Sequence, residues 1–347
     1  MKALRWHGRR DVRLDDVRRP DAPTGAQLEL AVSWCGICAT DVEEWQHGPI
    51  FVPTQPNPLT GAQAPLTLGH EIVGEVVRIG EAVENFAVGD RVAVDGLMGC
   101  GLCEACRADR VMLCPSLAAV GLMADGGLAE YVLVSEDVCE PVPAGVEDEA
   151  AALAETLAVG VRALNRGCLA EKDRVLVVGG GAIGLLAAQA ARAMGAREVA
   201  VVEPLDSRRA IAEGLGLTTV PALEPDHLAD LVLECSGRSH VVRDAIRATA
   251  PAGRLVLVGI YSDPVEVNPL DLVRSERSII GTLSHRRAVD FRAALDLLAE
   301  GAVDASAVIS DRISLDSVIE RGLMALMEFP AAHIKIVVSP RLKGHGR

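Results

Sequence analysis

Runs of apolar residues fall into two textures along the chain. Over the first 148 residues they are short and separated by turns. LELAVSW (28–34), EIVGEVVRIG (71–80) and DRVAVD (90–95) read as strands, with Gly74, Gly80, Gly89 and Asp90 where bulges and turns fall. The segment 48–65 holds five prolines and no helical period, which predicts a long loop. Loops of that length inside compact domains are usually functional. At residue 147 the texture changes to EDEAAALAETLAVGVRALN, an Ala- and Leu-rich helical stretch. A domain boundary is therefore expected near Gly145.

Beyond that boundary strands and helices alternate. RVLVVG (174–179), EVAVVE (198–203), DLVLECSG (230–237), GRLVLVGI (253–260) and SIIGTLS (278–284) read as strands, with helices at 182–195, 206–216 and 240–250. Such alternation predicts an α/β chain with a doubly wound parallel sheet. A helix at 288–301 and a strand at 334–338 follow, and the pattern alone leaves open whether they extend the second domain or return to the first. The length of 347 residues also implies about two domains.

Composition narrows the function. With 50% hydrophobic and 24% charged residues the chain is globular, and with 3% aromatics its cores must be aliphatic. The net charge of −14 repels phosphate backbones, and few aromatics remain to stack on bases, so no nucleic-acid partner is expected. The N-terminal MKALRWHGRRDVRLDD lacks the apolar run of a signal peptide. The uncharged stretch from Val175 soon meets three glycines, as in a strand, turn and helix and unlike a membrane span. Nine cysteines, an odd number in a long chain, argue against a disulfide scaffold. A cytoplasmic location with no membrane partner is expected.

Four of those cysteines, Cys100, Cys103, Cys106 and Cys114, are separated by two, two and seven residues. Four thiolates at short spacing suit a closed tetrahedral zinc site that holds a lobe together. An iron–sulfur cluster is the rival, and the seven-residue gap argues against it. A second motif, Gly179-Gly180-Gly181-Ala182-Ile183-Gly184, follows a Val-rich strand and opens a helix, as dinucleotide binding requires. The first glycine permits the turn, the second lets a pyrophosphate approach, and the third lets helix pack on strand. Glu203, nineteen residues after Gly184, ends the next strand, where a carboxylate holds ribose hydroxyls and repels a 2′-phosphate. This points to NAD rather than NADP, although Arg208 lies where it could accommodate that phosphate. Ser236, Gly237 and Val258, at the ends of later strands, complete the expected cofactor site.

CGICATD (35–41), GHE (69–71) and AET (154–156) hold further metal-ligand types. One at a time they read as a redox pair, a loop histidine and a helix-face acid. Taken in order with the cysteine lobe and glycine turn, they resemble the zinc-dependent medium-chain alcohol dehydrogenases over essentially the whole chain. Within that family the resemblance is nearest the (R,R)-2,3-butanediol dehydrogenase branch, with threonine and sorbitol dehydrogenases further off. WCGICATD (34–41), GPIFVP (48–53), NPLTGAQAPLTLGHE (57–71) and VGDRV (88–92) carry it.

The resemblance implies a GroES-like catalytic domain over 1–148, completed by 286–347, and a Rossmann domain over 149–285, with the active site between them. It implies dimers or tetramers, two zinc ions per chain, and NAD. Cys38, His70 and Glu155 then bind the catalytic zinc, Glu71 approaches or binds it, and Cys35 is structural. Thr40 takes the alcohol proton. Glu43 stands where relatives often carry a relay histidine, and a carboxylate there is ionised above about pH 5. The segment between the strand near 218–220 and 230 is too short for the helix usual in relatives.

The implied reaction is hydride transfer between NAD(H) and a secondary alcohol or ketone, such as 2,3-butanediol and acetoin. In it the metal acidifies the alcohol and the nicotinamide accepts hydride. A polyol, amino alcohol or biosynthetic cyclitol or sugar is the alternative substrate. The proline-rich loop, with Ile50 and Phe51, is expected to line the pocket. A zinc-free quinone reductase-like protein and a non-catalytic NAD(P)-binding protein are rival readings, and Cys38, His70 and Glu155 argue against both.

Overall fold

The computed structural model describes residues 1–224, 227–261 and 263–342. The chain divides into two compact units. The first comprises Met1–Glu155, Arg286–Ala288 and the described residues from Ile309; the second comprises the described residues of Thr156–His285 and Val289–Val308.

The first unit is built on Gln27–Gly36, whose Leu28, Leu30 and Val32 are buried. It pairs antiparallel with Glu71–Ile79 and with Tyr131–Ser135, and its end pairs with Lys335–Ser339. Across the sheet the order is Cys139–Pro141, Arg91–Val94, Glu71–Ile79, Gln27–Gly36, Lys335–Ser339 and Ile309–Ser314. Their aliphatic side chains share one core with Trp6, Ile72, Val92, Ile336 and Val338. Full burial of such a side chain contributes about 1.5–3 kcal/mol. No regular element occurs between His47 and Leu66, where the prolines are.

The second unit holds six strands in the order Thr218–Val220, Glu198–Val202, Arg174–Val178, Ala229–Glu234, Thr249–Leu257 and Ser278–Gly281, all parallel. Strands covered on both faces carry continuous apolar runs, which is why VLVV and LVL lack alternation. The helix Ala182–Ala193 is buried from Gly184 to Ala191, and its small residues let it lie close to its neighbours. At Gly160 an added Cβ would come within 2.9 Å of the Ala187 Cβ. Among the described residues, no helix follows the edge strand Thr218–Val220 before Ala229.

Two boundaries differ from the sequence reading. The expected break near Gly145 falls instead at Glu155–Thr156. The helical texture is split into Asp148–Ala151 and Ala154–Arg166, and the short piece is tied to the first unit's strands. Arg91 donates to Asp148 at 2.8 Å, and Arg312 grips Glu149 at 2.6 and 2.7 Å. The resemblance implies that 286–347 completes the first domain, whereas 289–308, with helix Arg292–Ala299, groups with the second unit. Gln189 explains part of this: its side chain accepts from the Asp304 N–H at 2.8 Å and donates to the Asp304 carbonyl at 3.3 Å.

Candidate metal and cofactor sites

The helix Ala39–His47 begins at Cys38, whose extended backbone makes it the N-cap. Asp41, at the third helical position, accepts the Cys38 N–H at 2.9 Å through Oδ2. Its other oxygen faces His70 Nδ1 at 3.7 Å, and neither of these two buried atoms has a hydrogen-bond partner. His70 therefore turns its second nitrogen away from Asp41. Ligand atoms of Cys38, His70 and Glu71 all lie within 4.8 Å of one another. Thr40 Oγ1 is 3.6 Å from Cys38 Sγ, whereas Glu43 is exposed on the same helix. Cys35 is fully buried, and only the lack of a Cβ at Gly69 leaves room for its sulfur.

The electrostatics suit a cation. Burial works against a charged His70, but Asp41 and Cys38 outweigh it and hold its pKa well above the ordinary value, with Glu155 adding to them. Thus Glu155 is within electrostatic reach of His70, although it is outside the compact three-residue set. Burial raises the Asp41 pKa. A thiolate, an imidazole and carboxylates suit zinc, and the carboxylate behind His70 is the usual support for a ligating imidazole.

Glu71 is held from behind by Lys335, whose Nζ donates to its two oxygens at 2.6 and 2.9 Å and to the Ile37 carbonyl at 3.2 Å. Both side chains are buried. Burial alone would lower the Lys335 pKa, but Glu71 and Cys38 reverse the shift and raise it. Gly36 completes the cradle: a Cβ there would sit 1.8 Å from Glu71 Oε2. Neither Lys335 nor the role of Asp41 was assigned from sequence. A signal for Lys335 exists, since KIVVS is buried at every position and a lysine inside such a strand demands a partner.

Cys100, Cys103, Cys106 and Cys114 also bring their sulfurs within 4.8 Å of one another. Cys103 caps the helix Glu104–Arg107 and accepts the Cys106 N–H at 3.4 Å, and Cys114 accepts the Cys100 and Ser116 N–H groups at the same distance. Backbone N–H groups of Leu102 and Cys103 pull Cys100 down to about 6, while burial and neighbouring sulfurs push Cys106 up to about 12. Thiols this close cannot all ionise without a cation among them. The donor set fits a structural zinc.

In the second unit Gly179 has φ +106°, and a Cβ on Gly184 would lie 1.9 Å from the Gly179 carbonyl oxygen, so strand, turn and helix close tightly. Gly181 caps the helix and has open space where its Cβ would be, leaving the Ala182 and Ile183 end approachable. Glu203 accepts the Gly180 N–H at 2.8 Å and the Leu205 N–H at 2.9 Å, with an Arg208 nitrogen 3.9 Å away. Burial lowers the Arg208 pKa. Glu234, also missed, organises the opposite loops. Its carboxylate takes hydrogen bonds from Ser236, from Gly237 N–H at 3.3 Å and from the Tyr261 hydroxyl, and its carbonyl accepts the Val258 N–H at 2.9 Å.

Comparison with known proteins gives the chain's relatives. Residues 25–144 match the alcohol dehydrogenase GroES-like domain and residues 182–300 the zinc-binding dehydrogenase family. The (R,R)-butanediol dehydrogenase of Bacillus subtilis is 37% identical, over 98% of this chain and 100% of its own. A crystal structure of 2R,3R-butanediol dehydrogenase from that organism superposes with a TM-score of 0.90 at 36% identity, covering 98% of this chain and 99% of the other. A zinc-binding dehydrogenase from Sinorhizobium meliloti 1021, bound to NADP, gives 0.87 at 32% identity with the same coverage. No described helix is long and apolar enough to cross a membrane. Matched by two family models in succession and similar along nearly its whole length to these dehydrogenases, the chain belongs to the zinc-dependent medium-chain alcohol dehydrogenase family.

Proposed function

We propose that this enzyme is an NAD-dependent dehydrogenase of secondary alcohols whose substrate is a vicinal diol, with the hydroxyketone as product, as in the pair 2,3-butanediol and acetoin. The observation that carries this reading is the Cys38, His70 and Glu71 set within 4.8 Å, in a chain so similar to a butanediol dehydrogenase. The first unit would hold the catalytic zinc on Cys38, His70 and a carboxylate from Glu71 or Glu155, and a structural zinc on the four-cysteine lobe. The glycine turn, Glu203, Arg208, Ser236, Gly237 and Val258 would hold NAD.

Bound there, zinc supplies a Lewis acid for the alcohol oxygen and NAD supplies the hydride acceptor. The side chains do the rest. Asp41 keeps His70 oriented, and Lys335 keeps Glu71 from swinging freely. Thr40, beside Cys38, receives the alcohol proton, and Glu43, one turn along the helix, offers a carboxylate facing solvent to which the proton can pass. Glu203 takes the adenosine ribose hydroxyls and disfavours a 2′-phosphate by charge. Assembly as a homodimer or homotetramer is part of the same reading.

A panel of diols, polyols and simple secondary alcohols, read by NADH absorbance with zinc-loaded enzyme, tests the proposal. Turnover is expected to be fastest with a 2,3-diol. Activity confined to polyols, or absent with every alcohol and ketone, refutes it.

A further inference from the structure

The helix that carries Cys38 buries two acids on one face. Asp41 serves His70, as described above. Glu44, one turn later, is wholly buried. Its Oε1 accepts the Ile50 N–H at 3.0 Å, and its Oε2 accepts the Phe51 N–H at 2.7 Å and lies 3.2 Å from the Ile50 nitrogen. The Glu44 carbonyl takes the Gly48 N–H at 2.9 Å and the Trp6 indole N–H at 3.0 Å. The turn closes on this carboxylate so tightly that a Cβ at Gly48 would come within 2.5 Å of Oε1.

Burying a carboxylate is costly unless every lone pair that matters is used, and here two backbone amides use them. What this fixes is the backbone that presents Ile50. Val52 is buried two residues on, yet Ile50 is 49% exposed. Glu44 lies six residues, about 9 Å of helical rise, from Cys38. The Ile50 and Phe51 amides are thus anchored nearly two helical turns from Cys38.

Resting on the diol reading above, we propose that Glu44 is a positioning residue for specificity. It holds Ile50 and Phe51 as the wall against the alkyl chain of the diol, and takes no part in the chemistry at the hydroxyl. Glu44→Gln replaces one acceptor by an amide N–H that opposes a backbone N–H, so the clamp opens while the side-chain volume stays. Because Ile50 is already exposed, Ile50→Ala removes the wall without touching the core.

The test compares kcat and KM for 2,3-hexanediol and 1,2-propanediol in zinc-loaded parent, Glu44→Gln, Ile50→Ala and double variant. Expected is a loss of kcat/KM for hexanediol of about 10-fold in each single variant, the low end of what one methylene in an apolar pocket is worth. It should fall on KM, with propanediol changed less than about 2-fold. The double variant should be no worse than either single, since both remove one wall. Equal losses on the two diols, a loss in kcat alone, or additive losses overturn the proposal. Should Glu44→Gln fail to fold, Ile50→Ala decides: an unchanged preference between the diols overturns it. Parent enzyme inactive on both diols overturns the diol reading and this inference with it, whereas an active parent with unaltered variants overturns this inference alone.

Discussion

Replacing Lys335 by methionine removes an ammonium but keeps most of the aliphatic stem that packs in the strand. Glu71 then stays buried beneath Gly36 without the ammonium that now sits 2.6 and 2.9 Å from its two oxygens. Breaking a buried pair from one side costs about 3–5 kcal/mol, chiefly because the other charge is left behind. The double variant Lys335→Met, Glu71→Gln removes that charge and should recover about 0.5–3 kcal/mol of the loss, the range for groups in direct contact. The assay is urea unfolding followed by tryptophan emission. All three tryptophans, Trp6, Trp34 and Trp45, belong to the first unit, so the signal reports the unit that contains the pair. With slopes of about 1–3 kcal/mol per molar urea, a loss of 3 kcal/mol moves the midpoint by about 1–3 M. A midpoint within experimental error of the parent, or a double variant less stable than Lys335→Met alone, would refute the account of Glu71 as a buried charge stabilised by Lys335.

Elemental analysis should find two zinc ions per chain; Cys100→Ser should lose one and unfold easily, whereas His70→Ala should stay folded and inactive, and active enzyme with no zinc refutes both assignments. Thr40→Val should slow alcohol oxidation by about 10²–10⁴-fold, the range for general acid–base steps, with Glu43→Gln milder; unchanged single-turnover hydride transfer in both means that the proton leaves elsewhere. Glu203→Ser should raise KM for NAD and relax discrimination against NADP, and a parent enzyme that uses the two equally contradicts the role of Glu203. Burial alone would raise the Glu29 pKa, but Arg78 and Arg19 overcome this and hold it below the ordinary 4.5. That stability is present above pH 4.5 and is lost as pH falls through the lower folded value. Glu29→Gln should therefore flatten the acid limb of unfolding stability below about pH 4.5, and a limb as steep as the parent's argues against the pair.

What local pattern encodes, the sequence displays. The parallel sheet shows in uninterrupted Val and Leu runs because strands covered on both faces have no polar side. The glycine turn shows because its spacing answers to backbone geometry within six residues. Non-local pairings are hidden. Nothing near Glu71 announces Lys335, and Glu44 looks like a charge on a solvated helix face until the loop after it folds back. The break expected near Gly145 rests on a change of texture, whereas the grouping of Asp148 and Glu149 with the first unit depends on Arg91 and Arg312, residues distant in the chain.

The pairing of Glu71 with Lys335 also sets an order of assembly. On an emerging chain, domains generally fold as they are completed, the N-terminal one first. Here the sheet that begins at Gln27 lacks two of its strands until Ile309–Ser314 and Lys335–Ser339 have been made. The intervening chain contains every residue of the second unit. The unit that starts first must therefore finish last, with Glu71 made long before the lysine that pairs with it. Metal capture during that interval would have to wait for the Lys335 strand at the Glu71 site. The cysteine lobe, whose four sulfurs lie within fifteen residues, is complete 221 residues before Lys335.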